Sequence, residues 1–380
     1  MRLLPIAAFL LFAQATPSSD VFVRSARCFD AAAGEMRGPV VVHVHDGRIT
    51  EVIPAERFKQ RPASMVDLGS ATLLPGLVDG HVHLQLRGQA EANALTLLRA
   101  GFTTVVDLGA TTDVVLRLRD RIAARSVEGP RILAAGLWVG THGGVCEFGG
   151  IGITGGADAF RQRVRDNVQA GADLIKVCVS AWTADAVKNP DGYEIRDDNL
   201  AAASDEAHRL GKRVVAHAIS RGGVGAALRA GVNGFAHAAD LDSATSEELR
   251  KRSVFVVPTL ASLTTNVPAA EAGMLRAGIA TAYRAGVTLV FGTDSGALPH
   301  GQNAREFAAM TEAGIRPVDA IRSATIVAAK ALGLDNDVGT IDAGRNADII
   351  AVDGDPLRDI NALSRVVFVM HNGRVITREP

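Results

Sequence analysis

The chain has 380 residues, 40 Lys+Arg against 41 Asp+Glu, a formal charge of -1 and 47% hydrophobic residues. That composition excludes a disordered tail or a collagen-like rod. A near-neutral balance with 4% aromatic residues gives no electrostatic footprint for nucleic acid, and points to small-molecule chemistry instead.

The N-terminus carries Arg2, an apolar run over residues 3–12 and the small-x-small triplet Ala13-Gln14-Ala15. This is the pattern of a secretory signal peptide, here 1–15, and the run falls well short of the ~20 apolar residues of a spanning helix. We expect a periplasmic or secreted protein with no membrane insertion after cleavage. Cys28, Cys146 and Cys178 are widely spaced and odd in number. They give no disulfide framework and no zinc-finger spacing. One bridge is possible in an oxidising compartment, but the spacing does not choose it, so all three are read as packing residues.

Residues 21–53 alternate short apolar runs with turns, Asp46-Gly47 marking a hairpin, and the last segment repeats the pattern around Asn372-Gly373. Both ends therefore read as antiparallel strands that pair into one small β-domain. Between them come eight β-type runs: LLPGLVDGHVH, TTVVDLG, RILAAG, LIKVCV, RVVAHA, GFAHAA, VFVVPTL and TLVFGTD. The intervening segments are amphipathic and Ala-rich, such as NLAAASDEAHRLG and GVGAALRAG, each closing on a C-capping Gly. Such alternation predicts an α/β fold, a (β/α)8 TIM barrel plus the small β-domain formed by both termini. The expected division is 16–74 with 336–380 for the β-domain and 75–335 for the barrel.

Active sites of such barrels lie at the C-terminal ends of the strands. The first run ends in His81-Val82-His83, whose alternate residues share a face. A second H-x-H, His43-Val44-His45, lies in the terminal β segment without further ligand-type partners and reads as a solvated strand face. Lys176 interrupts an otherwise apolar fourth run, where its charge would lose hydration. A buried lysine of lowered pKa can take up carbon dioxide, and the resulting carbamate is a bidentate anionic ligand.

His217 and His237 end the fifth and sixth runs, and Asp294 ends the eighth. Each alone has a structural account: a core histidine, a paired lysine, a helix N-cap. Together they converge on one rim and suit two divalent cations, Zn2+ first, with Mn2+ or Co2+ as other candidates. His81, His83 and Asp294 are assigned to one ion and His217 and His237 to the other, with carbamylated Lys176 bridging.

The segments LLPGLVDGHVHL, LIKVCVS, VVAHAISRGGVGAALRAGVNGFAHA, FGTDSGALPHGQNAREF and GTIDAGRNADIIAVDGDPL resemble those of the amidohydrolase superfamily. The resemblance is greatest to its secreted, prolidase-like branch related to imidazolonepropionase. It implies a distorted (β/α)8 TIM barrel with a β-sandwich formed by both termini, the same six ligands, and hydrolysis of an amide in a dipeptide or N-acyl amino acid by a metal-bridging hydroxide, with Asp294 as general acid/base. Esters, lactones, carbamates and cyclic amides are alternative substrates, and a non-catalytic binding relative is a third reading. This chain departs from the branch in the third loop, GLWVGTHGGVCEFGG, in His237-Ala238, and in a short stretch after Leu260.

Candidate substrate contacts are His142 on the third loop, Tyr193 and Arg196 after the fourth run, and His300 beyond Asp294. A guanidinium fork such as that of Arg196 can hold a substrate carboxylate. His208 and His371 are assigned to the surface. The expected partners are a small-molecule or dipeptide substrate and, as a homo-oligomer, further copies of the chain.

Overall fold

The computed structural model describes residues 20–60, 62 and 64–378; the expected signal peptide lies outside them. The N-terminal segment forms β1 (Val21–Ser25), β2 (Arg27–Asp30), β3 (Glu35–Arg37), β4 (Val40–His45), β5 (Arg48–Pro54), β6 (Met65–Asp67) and β7 (Thr72–Pro75). The central segment supplies β8 (Leu77–Val82), β9 (Phe102–Asp107), β10 (Arg131–Ala134), β11 (Ile175–Cys178), β12 (Val214–Ala218), β13 (Gly234–His237) and β14 (Phe255–Val257). The C-terminal segment adds β15 (Ile349–Val352), β16 (Val366–His371) and β17 (Arg374–Arg378).

The two chain ends do pair with one another. One sheet runs β5-β4-β1-β6, and a second runs β17-β16-β15-β7-β2-β3, where β15 meets β7 antiparallel. Val23, Val42, Val44 and Ile49 share one apolar cluster with Leu73, Ile349, Phe368 and Met370. Both expected hairpin turns are present, Asp46-Gly47 with φ of 48° and 81° and Asn372-Gly373 with 48° and 76°, the left-handed pair that a two-residue hairpin demands. The turns also abut, since a Cβ on Gly373 would stand 2.5 Å from Gly47 Cα.

The central strands are parallel and, apart from β10, buried along their whole length, as strands covered on both faces must be. They form two arcs, β8-β9-β10 and β11-β12-β13-β14. Single parallel bridges continue the arcs, Val139 to Val177, Val256 to Leu289 and Val82 to Ser295.

Helices lie between the strands as expected, including Asp197–Arg209 and Arg221–Arg229, whose chains turn at Gly211 and Gly231 with φ of 71° and 77°. The eighth run differs, for it makes only isolated bridges. Its backbone groups go elsewhere, Phe291 N to Ser323 O and Asp294 N to His81 O, and Asp294 itself has φ of 58°. A ladder cannot continue through a left-handed residue. Among the described residues no helix is long and apolar enough to cross a membrane.

The cysteine expectation needs correction, because Cys146 and Cys178 are joined in a disulfide and only Cys28 is a buried free thiol. Three thiols allow three pairings, and only the fold brings the third loop onto β11. His371 is likewise not a surface residue: it is buried, with Nδ1 2.9 Å from Asp348 Oδ1.

Candidate metal centre

The strand ends gather six buried polar side chains: His81, His83, Lys176, His217, His237 and Asp294. His81 and His83 bring their Nε2 atoms to 3.2 Å, and Asp294 Oδ1 lies 3.5 and 3.4 Å from them. One ligand-type atom from each lies within 4.8 Å of the others, a set able to hold a metal ion. The His237 ring is 5.1 Å from that of His81 and 4.6 Å from that of His217. Register explains the approach, since His217 pairs with Ala236 and Ala218 with His237 on adjacent strands, while Lys176 lies on β11 opposite Val215.

The donor chemistry fits cations. His83 Nδ1 donates to Gly109 O at 3.0 Å, so its Nε2 carries a lone pair into the cluster. His237 Nδ1 is 2.7 Å from Thr259 Oγ1, which turns its other nitrogen inward. His81 Nδ1, His217 Nε2 and Lys176 Nζ are buried without hydrogen-bond partners. Orphaned buried polar atoms are costly, and a bound cation for His217 Nε2 and a carbamate for the lysine would remove that cost.

Burial, then the Lys176 charge, holds His83 down to about 3, and the same causes hold His217 down to about 3. His81 and His237 are also driven well below the usual histidine range by burial. All four are neutral near pH 7, the form in which imidazole ligates metals. Burial likewise lowers Lys176 and raises Asp294.

The backbone around these groups is strained, with φ of 81° at His237, 43° at Ala238, 51° at Thr259 and 58° at Asp294. Such residues persist where the surroundings over-determine them. Gly292 permits the approach of the first and eighth runs, because a Cβ there would lie 2.9 Å from His81 N. Asp79 ties the runs together, accepting from His81 N at 3.1 Å, Thr293 Oγ1 at 2.7 Å and Asn303 Nδ2 at 2.7 Å. Ser262 Oγ donates to Asp294 Oδ2 at 3.3 Å. Glu306 accepts from Leu260 N at 2.9 Å and Ala261 N at 2.6 Å, holding the turn that carries Thr259 and Ser262.

Residues 72–376 match the amidohydrolase family, and the chain belongs to it. Ochratoxinase of Aspergillus niger is 28% identical over 261 residues, 63% of this chain and 54% of its own, so the chain spans about half the length of that relative. A solved Xaa-Pro dipeptidase with bound methionine has a TM-score of 0.86 at 27% identity, covering 94% of this chain and 99% of its own. A prolidase solved with N-methylphosphonate-L-proline has a TM-score of 0.84 at 26% identity, covering 95% and 100%. The chain thus has an α/β fold of the amidohydrolase family, and the solved structures it resembles include dipeptidases.

The four expected substrate contacts are not brought together. Arg196 spends its fork on Asp198 with its side chain 78% exposed, and Tyr193 donates to Asp197 at 2.9 Å. The pairing arises because both residues lead into the helix Asp197–Arg209, whose first turn is acidic. His142 is exposed and lies 3.1 Å from Glu147. His300 alone stays near the cluster, half-buried, with Nε2 donating at 3.0 Å to the carbonyl of Leu86, whose N–H in turn donates to His83 O. His43 and His45 instead share the exposed carboxylate of Asp20 at 2.8 and 2.9 Å.

Sequence reasoning missed Asp79, Thr259, Ser262 and Glu306, and it missed Trp138 and Trp182, whose rings lie 5.4 Å from His83 and 5.3 Å from His217. The tryptophans come two and three residues after the third and fourth runs. Position at a strand end, the criterion that found the histidines, would have found them.

Proposed function

We propose that this chain is a binuclear metal-dependent amidohydrolase that cleaves the amide of a dipeptide or N-acyl amino acid. The observation that carries this is the convergence of four neutral imidazoles, one lysine and one aspartate, with orphaned nitrogens on His217 and Lys176. The dipeptidase and prolidase neighbours, and ochratoxinase among the relatives, support the amide as the bond. In this proposal the two strand arcs form a distorted (β/α)8 barrel over 75–335, and 16–74 with 336–380 form a β-sandwich. We also propose export after cleavage at Ala15 and assembly as a homo-oligomer.

His81, His83 and Asp294 would hold one ion and His217 and His237 the other, with Lys176 between them. Two Zn2+ ions would supply an acidified water and polarise the substrate carbonyl. Lys176, its pKa lowered by burial, would offer a neutral amine to carbon dioxide; formation of the C–N bond with loss of one proton would turn that unpaired amine into an anionic ligand. Asp294 takes the proton of the attacking water and passes it to the leaving nitrogen. Ser262 and the Asp79 network hold that carboxylate in place.

The test is to purify the full chain with zinc and bicarbonate, count metals per chain, and screen Xaa-Pro, Xaa-Arg/Lys and N-acyl amino acids beside esters and lactones. About two metals with amide turnover is the expected result. Metal without amide turnover would move the assignment to esters or lactones, and neither metal nor turnover would overturn it.

A further inference from the structure

Both tryptophans of the chain stand against imidazoles of the cluster, although aromatic residues make up only 4% of the sequence. Trp138 is buried and locked by its Nε1–H on Leu108 O at 2.9 Å, with its ring edge-on to His83. Phe148, from the third loop, tilts against Trp138 at 5.0 Å and faces Trp182 at 6.5 Å. Trp182 then meets His217 edge-on at 5.3 Å. The rings form one arc from His83 to His217, within the 4.5–7 Å range of aromatic pairing.

The outer members of this arc are open to solvent, Phe148 at 37% and Trp182 at 47% exposure. Large apolar groups left in water beside buried polar chemistry mark a surface that another apolar group covers. The disulfide Cys146–Cys178 ties the loop carrying Phe148 to β11, which leads to Trp182, so the two rings keep their spacing. Preorganised rings lose little entropy on binding a further ring.

We propose that Phe148 and Trp182 form a subsite for an aromatic acyl group of the substrate. This rests on the hydrolase reading above for the side of the amide it assigns. In hydrolysis water adds to the carbonyl carbon, the C–N bond breaks, and the proton passes through Asp294 to the nitrogen. Asp294 follows the eighth run, which bridges to β8 and β14, whereas the aromatic pair follows β10 and β11, across the strand circuit. The amine therefore leaves toward Asp294, and the acyl group lies against the rings.

Tryptophan emission of the metal-loaded full chain, titrated with 3-phenylpropionate and with butyrate, reads binding without turnover, and both fluorophores lie at the subsite. The aromatic acid should bind about tenfold tighter, and Trp182→Ala and Phe148→Ala should each erase most of that preference. In turnover, kcat/KM for N-(3-phenylpropionyl)glycine over N-acetylglycine should show the same ratio, carried in KM, and should collapse in both variants. Equal affinities, or a preference that survives in both variants, would overturn the subsite. Aromatic binding with no amide cleaved would leave the subsite standing and remove the hydrolase reading; amide turnover with no aromatic preference would do the reverse.

Discussion

At the scale of single residues, Asp294 and Glu306 make the sharpest predictions because an amide in either place keeps the shape and changes only the proton chemistry. Asp294→Asn keeps the shape and an oxygen for metal but removes the proton acceptor. It should lower kcat by roughly 10²–10⁴-fold with metal content retained; near-wild-type turnover at full metal content would exclude the role. Glu306 is fully buried, and burial outweighs its two backbone donors to push its acid up to about 8. In the folded chain it holds a proton that an unfolded Glu, at its ordinary 4.5, has released. Its contribution is therefore complete below pH about 4.5 and fades toward pH 8, by about 1.4 kcal/mol per pH unit. Glu306→Gln removes that slope and sets an amide N–H against Leu260 N or Ala261 N, costing about 1–3 kcal/mol near pH 5. Urea unfolding should show the wild type's lead over Glu306→Gln at pH 5 closing and then reversing by pH 8, and a gap independent of pH would count against a proton on Glu306.

At the scale of elements, the disulfide decides how well the third loop is held. It closes a sequence separation of 32 residues, for which a loss of about 2–4 kcal/mol on removal is expected. Reductant should lower the melting temperature of the wild type and leave Cys146→Ser/Cys178→Ser, already lowered, unmoved; a wild type indifferent to reductant would mean the bond does not form. The elements also show what the sequence could tell. His81, His83, Lys176, His217, His237 and Asp294 were legible because a polar residue at the end of an apolar run has few places to go. The helices and both hairpins were legible for similar local reasons, amphipathic period and Asx-Gly turns. What was not legible depends on partners far along the chain. Arg196 looked free for a carboxylate until folding set it beside Asp198, three cysteines left their pairing open, and the eighth run lost its ladder to contacts with His81 and Ser323.

At the scale of the whole molecule, the cluster couples both arcs of strands, so its occupancy should be felt as global stability. Metal-free, two sets of buried groups oppose each other. His83 and His217, held near 3, favour the fold fully above the ordinary histidine value of about 6.5 and lose that contribution as pH falls toward 3. Asp79 and Asp107, raised by burial to about 6 and about 7, act the other way, favouring the fold below about 3.9 and losing that contribution as pH rises through their folded values. A cation changes the balance because it binds only deprotonated ligands, and Asp294, raised by burial, gives up its proton only as pH rises. Zinc at 100 times its Kd adds about 2.7 kcal/mol, several degrees of melting temperature in a chain of this size. By scanning calorimetry, the gap between zinc-loaded and chelated protein should therefore be small at pH 5 and widen to pH 8. If Zn2+, Mn2+ and Co2+ all left the melting temperature unchanged across that range, the six side chains would not be a metal centre, and their orphaned nitrogens would need another partner.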